Sequence, residues 1–271
     1  MSMKAVDLAQ ALAALKAAGV QPGDGLLLHS AIQFLGLPVG GAGLYYQALW
    51  AVLEDQPGEG SAPQPLEKGT IAAPAFNFAF ARGEAYHPQS TPSQGMGAFS
   101  EYLRQLPFAL RTPHPLQSLT VIGRHAADLA SRDTPSAFDP GSAFERLLEL
   151  DFKLLLLGAD IQAVSMLHYS EQRCAVPYRY WKDFSGPYRT QHGWETRKYR
   201  MFARDLSIDP QGGGPRIELY PVQAVLQQRG LWQSTTLNYG QVATCRLRDF
   251  VAVVDEFLNA DPWSLVTNPD V

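Results

Sequence analysis

Short apolar runs recur along the first two thirds of the chain, and segments with the apolar spacing of a helix separate them. Four runs predict buried strands, at residues 25–29, 70–73, 118–123 and 154–157. The last of these is four consecutive leucines, a pattern typical of a strand that is covered on both faces. Helical spacing predicts helices at 6–18, 45–53, 99–107 and 143–150, and another on the segment between the four leucines and Pro177.

The last third of the chain has a different pattern, because aromatic and alternating segments replace the apolar runs. Residues 178–194 are aromatic and basic, and residues 196–206 and 216–220 alternate like half-exposed strands. A last strand at 241–247 and a closing helix at 250–258 complete the chain.

This order of elements predicts an α/β fold: a three-layer mixed sheet flanked by helices, with a strand-rich antiparallel C-terminal extension. We expect one domain over residues 1–271, with an α/β core at 1–175 and the extension at 176–271.

Composition supports a globular chain and argues against several classes of protein. Hydrophobic residues make up 46% of the 271 residues, enough for a sizeable core. The net charge of -4 argues against a nucleic-acid partner, since phosphates bind basic surfaces. The only two cysteines, Cys174 and Cys245, form no CxxC pair, which argues against a disulfide framework or a zinc site. The N-terminus has no signal-peptide pattern, and no apolar run approaches the roughly 20 residues that span a bilayer, so we expect a cytoplasmic protein.

A histidine and a carboxylate follow the four-leucine strand and are the first candidates for chemistry. His168 and Glu171 are three residues apart, so a helix places them on one face. Ligands of open α/β sheets bind beyond the carboxyl ends of strands, which is where this helix begins. A base with an orienting acid is one interpretation. A surface packing pair is another, and a metal site lacks a third ligand at suitable spacing.

Three loops carry further candidate residues. The glycine-rich segment 38–43 lies between a strand and a helix, where bare backbone N–H groups can bind an anion, although such segments are also ordinary turns. Ser93 precedes the helix at 99–107 and is a candidate N-cap. His114 lies between two prolines, which hold its backbone extended.

Five motifs occur together in the order and spacing of one known family. They are L-H-S-A with V-G-G (28–31 and 39–41), P-S-x-x-M-G (92–97), T-P-H-P-x-x-S (112–118), G-S-x-x-x-R-L (141–147) and L-L-L-G with S-x-L-H-x-x-E (155–171). On these motifs the chain resembles the aminoglycoside 3-N-acetyltransferases, also called antibiotic N-acetyltransferases, from about Val20 to Trp263.

The resemblance implies acetyl-CoA as acetyl donor, a primary amine as acceptor and a role in antibiotic resistance. It also implies that His168 is the general base and Glu171 its acidic partner. The residues that it implies for the cofactor are His29, Ser30, Ala31, Val39, Gly40 and Gly41 for the pantetheine and phosphates, Thr112, His114 and Ser118 near the thioester, and Ser93, Met96 and Gly97 in a third stretch. We expect no metal, nucleic acid or membrane partner, and the pattern leaves a homodimer open.

The chain also departs from the family pattern. Ala31 stands where drug-modifying members commonly have serine, and Gln117 replaces the second histidine of the T-H-P-T-H-S motif. The loop from Phe76 to Phe80 is less polar than a polycationic sugar requires. These differences leave acyl transfer intact and favour a biosynthetic amine as an alternative acceptor. Two other classes stay open: a catalytically silent CoA-binding homologue, and a hydrolase that uses the same base on water.

Overall fold

The computed structural model describes residues 4–57, 63–208 and 214–267. The strands are β1 (Ala5–Val6), β2 (Gly25–Ser30), β3 (Leu37–Pro38), β4 (Thr70–Pro74), β5 (Leu110–Arg111), β6 (Leu119–Gly123), β7 (Lys153–Leu157), β8 (Arg179–Thr190), β9 (Gly193–Arg204), β10 (Gln233–Leu237) and β11 (Gly240–Arg246). The helices are α1 (Leu8–Ala17), α2 (Gly43–Glu54), α3 (Ala98–Arg104), α4 (Ala126–Ala130), α5 (Ala143–Glu149), α6 (Leu167–Arg173), α7 (Tyr220–Gln228) and α8 (Leu247–Ala260).

Seven strands form the central sheet, in the order β10-β11-β7-β2-β4-β6-β5. β2 runs parallel to both of its neighbours, β4 and β7, and the remaining pairs are antiparallel. The carboxyl ends of β2 and β7 therefore meet at one edge of the sheet. Ligands of α/β folds bind at such an edge.

The four consecutive leucines of β7 explain why the sheet has helices on both faces. Their side chains alternate between faces, and each is at most 2% exposed. Leu154 and Leu156 pack in the core beneath α5, α6 and α8, whereas Leu155 and Leu157 pack beneath α1 and α2. Full burial of each stabilises the fold by about 2 kcal/mol. The predicted three-layer α/β architecture is confirmed.

The long hairpin of β8 and β9 is the antiparallel extension that the aromatic segment predicts. Its two strands pair over their whole length and form a sheet of their own. Aromatic side chains fasten it to the loop after β4 in a separate small core, which includes Phe80, Tyr86, Phe184, Tyr188 and Tyr199. The hairpin thus begins and ends close to α6, where Arg179 faces Arg204 across the strand pair.

The C-terminal third contains more helix than its pattern predicts. The strand expected at 216–220 is wrong: this segment makes only one isolated bridge, between Ile217 and Val266, and α7 starts at Tyr220. Pro221 lies in the first turn of α7, where its missing N–H leaves no helical hydrogen bond unmade. The strand expected at 241–247 and the closing helix are confirmed as β11 and α8, with β10 as an unpredicted partner of β11.

None of the helices in the described part of the chain combines the length and the hydropathy that a membrane-spanning helix needs. The sequence Gly-Gly-Gly-Pro at 212–215 predicts a turn, and this segment falls partly outside the described residues.

Candidate active site

The segment after β7 turns the chain sharply before α6 begins. Gly158 ends the strand with a φ of +74°, and a Cβ there would lie 2.6 Å from the carbonyl oxygen of Ala31. The Asp160 side chain then accepts the backbone N–H of Gln162 and caps a 3-10 turn over Ile161–Ala163. These local features place the first residues of α6 against the end of β2.

His168 and Glu171 meet on the inner face of α6, as their spacing predicts. Nδ1 of His168 lies 2.7 Å from Oε2 of Glu171. The Glu171 side chain is fully buried, whereas 28% of the His168 side chain remains exposed. An ionised carboxylate only accepts hydrogen bonds, so Nδ1 carries the proton and Nε2 keeps its lone pair. The pair therefore has the arrangement of a base with an orienting acid.

A third charged group joins this pair from the first residue of the hairpin. Nη2 of Arg179 lies 2.8 Å from the same Glu171 oxygen and 3.2 Å from Nδ1 of His168. Its Nη1 donates to the carbonyl oxygen of Phe202 over 3.1 Å. The Arg179 side chain is only 7% exposed, so this ion pair is shielded from water.

The surroundings set the protonation of both catalytic candidates. Burial lowers the pKa of His168, and the cations of Arg179 and Arg204 lower it further against the opposing effect of Glu171. Burial alone raises the pKa of Glu171. The hydrogen bond from His168 and the charge of Arg179 outweigh that effect and hold the pKa below its usual value. Near neutral pH the site therefore holds a neutral His168 ring beside an ionised Glu171 carboxylate.

His29, at the end of β2, faces the same place from the sheet. Its Nε2 accepts the backbone N–H of Ser165 over 3.0 Å, and the Ser165 hydroxyl lies at the same distance. Burial, with a smaller effect of His168, lowers the pKa of His29 to about 3. The ring is therefore neutral, with its proton on Nδ1, which has no hydrogen-bond partner among the described residues.

A cavity of about 400 Å³ connects these groups. Side chains from several elements line it: His29, Met96, Ser165, His168, Arg204 and Arg216. His168 thus presents its ring to a space large enough for a ligand, and the predicted residues His168, His29 and Met96 share one cavity.

The glycine-rich loop leads from this edge to α2. Gly40 and Gly41 have φ values of +89° and +82°, and a Cβ on either would meet nothing within 4 Å. Val39 is 62% exposed. Ala31 donates its N–H to the carbonyl oxygen of Leu157, which ties the start of the loop to β7. The N–H groups of Val39 and Gly41 donate to the carbonyl oxygens of Val6 and Pro38, so the space open to a ligand lies beside Gly40 and Gly41.

The third predicted stretch approaches the end of β2 through its backbone. Gly97 has a φ of +85°, and a Cβ there would lie 3.2 Å from the carbonyl oxygen of Ser30. The N-cap prediction for Ser93 is wrong, because Gly97 occupies that position. Ser93 instead bonds Glu101 in the first turn of α3, with 2.7 Å between its hydroxyl and Oε2.

Thr112, His114 and Ser118 are buried and already bonded within the protein. The Thr112 hydroxyl accepts the N–H of Leu119, and Nδ1 of His114 accepts that of Gln117. The Ser118 hydroxyl donates to the carbonyl oxygen of Ala75 and accepts from Nε of Arg111, both over 2.9 Å. Burial lowers the pKa of His114 to about 4. None of the three lines the cavity, so their contact with a cofactor stays a prediction.

Sequence reasoning missed the arginines of this site. Arg179 belongs to the aromatic and basic segment after Pro177, and that basic character was the only signal in its favour. Arg204 and Arg216 lie on either side of residues 209–213, and no sequence motif includes either of them. Over residues 4–57, 63–208 and 214–267, no group of three or more His, Cys, Asp or Glu side chains has the arrangement of a metal site.

Known proteins match the chain over most of its length. A model of the aminoglycoside 3-N-acetyltransferase family matches residues 27–259. Aminoglycoside N(3)-acetyltransferase III of Salmonella sp. is 30% identical over 192 residues, a match that covers 68% of this chain and 67% of that protein. The prophage-derived aminoglycoside N(3')-acetyltransferase-like protein YokD of Bacillus subtilis is 31% identical over 176 residues, covering 61% and 64%.

Solved structures share the fold. The complex of AAC-IIIb with CoASH superposes with a TM-score of 0.78 at 21% identity and covers 95% of this chain and 97% of that one. The structure of AAC-VIa bound to sisomicin gives a TM-score of 0.77 at 22% identity, covering 95% and 98%. The family model and the sequence relatives confirm the resemblance that the motifs predict, and the chain belongs to the aminoglycoside 3-N-acetyltransferase family.

Proposed function

We propose that this protein transfers the acetyl group of acetyl-CoA to a primary amine of an aminoglycoside or a related amino sugar. The observation that carries the proposal is the 2.7 Å contact between Nδ1 of His168 and Oε2 of Glu171, on a ring that lines a cavity. Family membership supports it, as do two relatives of the same fold, one bound to CoASH and one to sisomicin.

The base acts through the nitrogen that is not bonded to Glu171. An ammonium has no free electron pair, so the acceptor reacts as the neutral amine, and Nε2 of His168 takes one of the two amine protons as the amine nitrogen attacks the thioester carbon. Glu171 holds the ring in one tautomer and stabilises the imidazolium that forms. The tetrahedral intermediate then expels the CoA thiolate, which takes the proton from His168. A positioned base of this kind contributes about 10²–10⁴-fold to the rate.

The cofactor lies, in this proposal, along the edge of the sheet where β2 and β7 end. The glycine-rich loop at Val39, Gly40 and Gly41 suits the CoA phosphates, because Gly40 and Gly41 leave room for a ligand to approach the backbone and the N–H of Gly40 can bind an anion without a side chain. In this proposal His29, Ser30, Ala31, Met96 and Gly97 contact the cofactor between this loop and His168; the cavity lining, which includes His29 and Met96, supports that position. Ser93, Thr112, His114 and Ser118 complete the residues proposed for the cofactor on the family resemblance.

The charges around the cavity bear on the acceptor. Glu218 accepts a hydrogen bond from the side chain of Gln162 over 3.1 Å, so one carboxylate bonds a residue of the cavity lining without itself lining the cavity. However, the charged side chains that line the cavity directly are Arg204 and Arg216. This lining favours a second candidate within the same reaction, an amine metabolite with fewer positive charges than an aminoglycoside.

Purified protein incubated with acetyl-CoA and a panel of amines tests the proposal. The panel holds aminoglycosides, monomeric amino sugars and amines that carry a carboxylate. We expect release of free thiol together with an N-acetylated product, and a loss of at least about 10²-fold in His168→Gln. Free acetate without an acetylated amine would identify a hydrolase. Absence of both turnover and CoA binding by calorimetry would remove the proposal.

A further inference from the structure

Two hydrogen-bond donors, one from His168 and one from Arg179, contact the same oxygen of Glu171. Nδ1 of His168 and Nη2 of Arg179 both lie within 2.8 Å of Oε2, whereas Oε1 has no hydrogen-bond partner among the described residues. Nδ1 and Nη2 are 3.2 Å apart, and both are donors, so neither bonds the other. Arg179 is thus placed to act on His168 through the carboxylate that they share.

The charges of the three groups determine how the assembly responds to a proton. Glu171 and Arg179 form a buried pair with no net charge while His168 is neutral. When His168 takes a proton, the assembly gains a net positive charge in a place that is shielded from water. Arg179 therefore opposes protonation of the ring at rest, and it also compensates the buried carboxylate that orients the ring.

The fold fixes Arg179 from two sides. After α6 the chain reverses at Ala175, which has a φ of +48°, and enters β8 at Arg179. The backbone N–H of Asp205 donates to the carbonyl oxygen of Tyr178 over 3.0 Å and closes the base of the hairpin. Nη1 of Arg179 bonds the carbonyl oxygen of Phe202 on the opposite strand. The guanidinium is therefore held by the hairpin rather than by Glu171 alone.

We propose that Arg179 is a positioning residue of the acetyl-transfer site, which holds Glu171 ionised and in place and keeps the His168 ring unprotonated near neutral pH. The proposal rests on the role of His168 proposed above. Arg179 acts through Glu171 and has no part in bond formation.

Several groups face His168 and contribute to its titration. Glu171 lies on the same helix, His29 on β2, Arg179 on β8 and Arg204 on β9. Glu171 favours the charged ring, and the two arginines oppose it. The effect of Arg204 on the ring is the weaker of the two, because Arg204 is exposed to water whereas Arg179 is shielded.

The test is the pH profile of kcat/KM together with an NMR titration of the His168 ring, assigned by loss of its signal in His168→Gln. In Arg179→Gln we expect the pKa of His168 to rise by about one unit, because the variant lacks the cation beside the ring. The acid limb of the kcat/KM profile should shift to higher pH by the same amount. At pH values below the pKa of His168, kcat/KM of Arg179→Gln should be about tenfold lower than that of the wild type. On the alkaline plateau the two values should differ by less than about threefold.

Two variants act as controls. Arg179→Lys keeps the positive charge, so the acid limb of its kcat/KM profile should lie within about 0.3 pH unit of that of the wild type. Arg173→Gln removes an equal charge from the end of α6, where Arg173 pairs with Asp255, and should leave the limb unmoved. A loss of activity in Arg179→Gln that is equal at every pH, with an unchanged His168 titration, would overturn the proposal.

Two further outcomes also bear on Arg179. If Arg179→Gln does not fold, the wild-type titration decides: a His168 pKa at or above the usual value of a free imidazole would contradict the proposal, because the effect of Glu171 would then outweigh that of Arg179. If the wild type acetylates no amine, the proposed function fails, but the NMR titration still measures whether Arg179 controls the His168 ring.

Discussion

The backbone N–H of Ser165 donates to Nε2 of His29 over 3.0 Å and thereby fixes a neutral imidazole at the end of β2. A protonated ring has no lone pair for this bond, and burial already lowers the pKa of His29 to about 3 from 6.5. The unfolded chain therefore binds a proton between these values that the folded chain does not. Stability is lost as the pH falls through this window.

We expect this one group to lower the free energy of unfolding by about 2 kcal/mol between pH 7.5 and pH 5. Urea unfolding at the two pH values measures the difference. His29→Gln should have a shallower pH dependence, because it lacks the group. Ser165→Ala keeps the backbone donor and should follow the wild type, and equal slopes in all three proteins would contradict the assignment.

Glu171→Gln replaces the buried carboxylate by a neutral group of the same shape. The base loses its orienting charge, so acetyl transfer should fall by about 10²-fold or more. Arg179 is left buried without its counter-charge, which should cost on the order of 3 kcal/mol of stability. Thiol release and thermal unfolding measure the two effects. Glu149→Gln, a change of a half-exposed carboxylate on α5, should alter neither.

Ser118→Ala separates a cofactor contact from a structural role. Its hydroxyl accepts from Arg111 and donates to Ala75, so we expect a loss of about 1–3 kcal/mol in stability from groups left unpaired. The KM for acetyl-CoA decides the other role. An increase of tenfold or more at a temperature where the variant is folded would support the family-based assignment, and an unchanged KM would leave Ser118 structural.

Gly158→Ala should disturb the turn between β7 and α6. The new Cβ would lie 2.6 Å from the carbonyl oxygen of Ala31, and the φ of +74° disfavours any side chain. We expect destabilisation well above the roughly 1 kcal/mol due to the backbone conformation alone. Gly83→Ala is the matched control, since Gly83 has a φ of +83° and open space around it. Equal midpoints in denaturant would show that the contact with Ala31 relaxes without cost.

The layers of the fold were predictable from local pattern. Four consecutive leucines in β7 require cover on both faces, and the helices on each side supply it. The error at 216–220 has a local cause as well. Alternation over five residues resembles a strand, but Pro221 and the apolar spacing that follows begin a helix.

The sequence by itself determined the pairing of His168 with Glu171, because a spacing of three residues on a helix brings two side chains together wherever that helix lies. Only the tertiary structure decided what surrounds the pair. Arg179 reaches Glu171 because the chain reverses after α6 and the hairpin closes, and His29 faces His168 because β2 and β7 are parallel neighbours. Burial and charge at such contacts set the protonation of the ring, and no spacing along the chain specifies them.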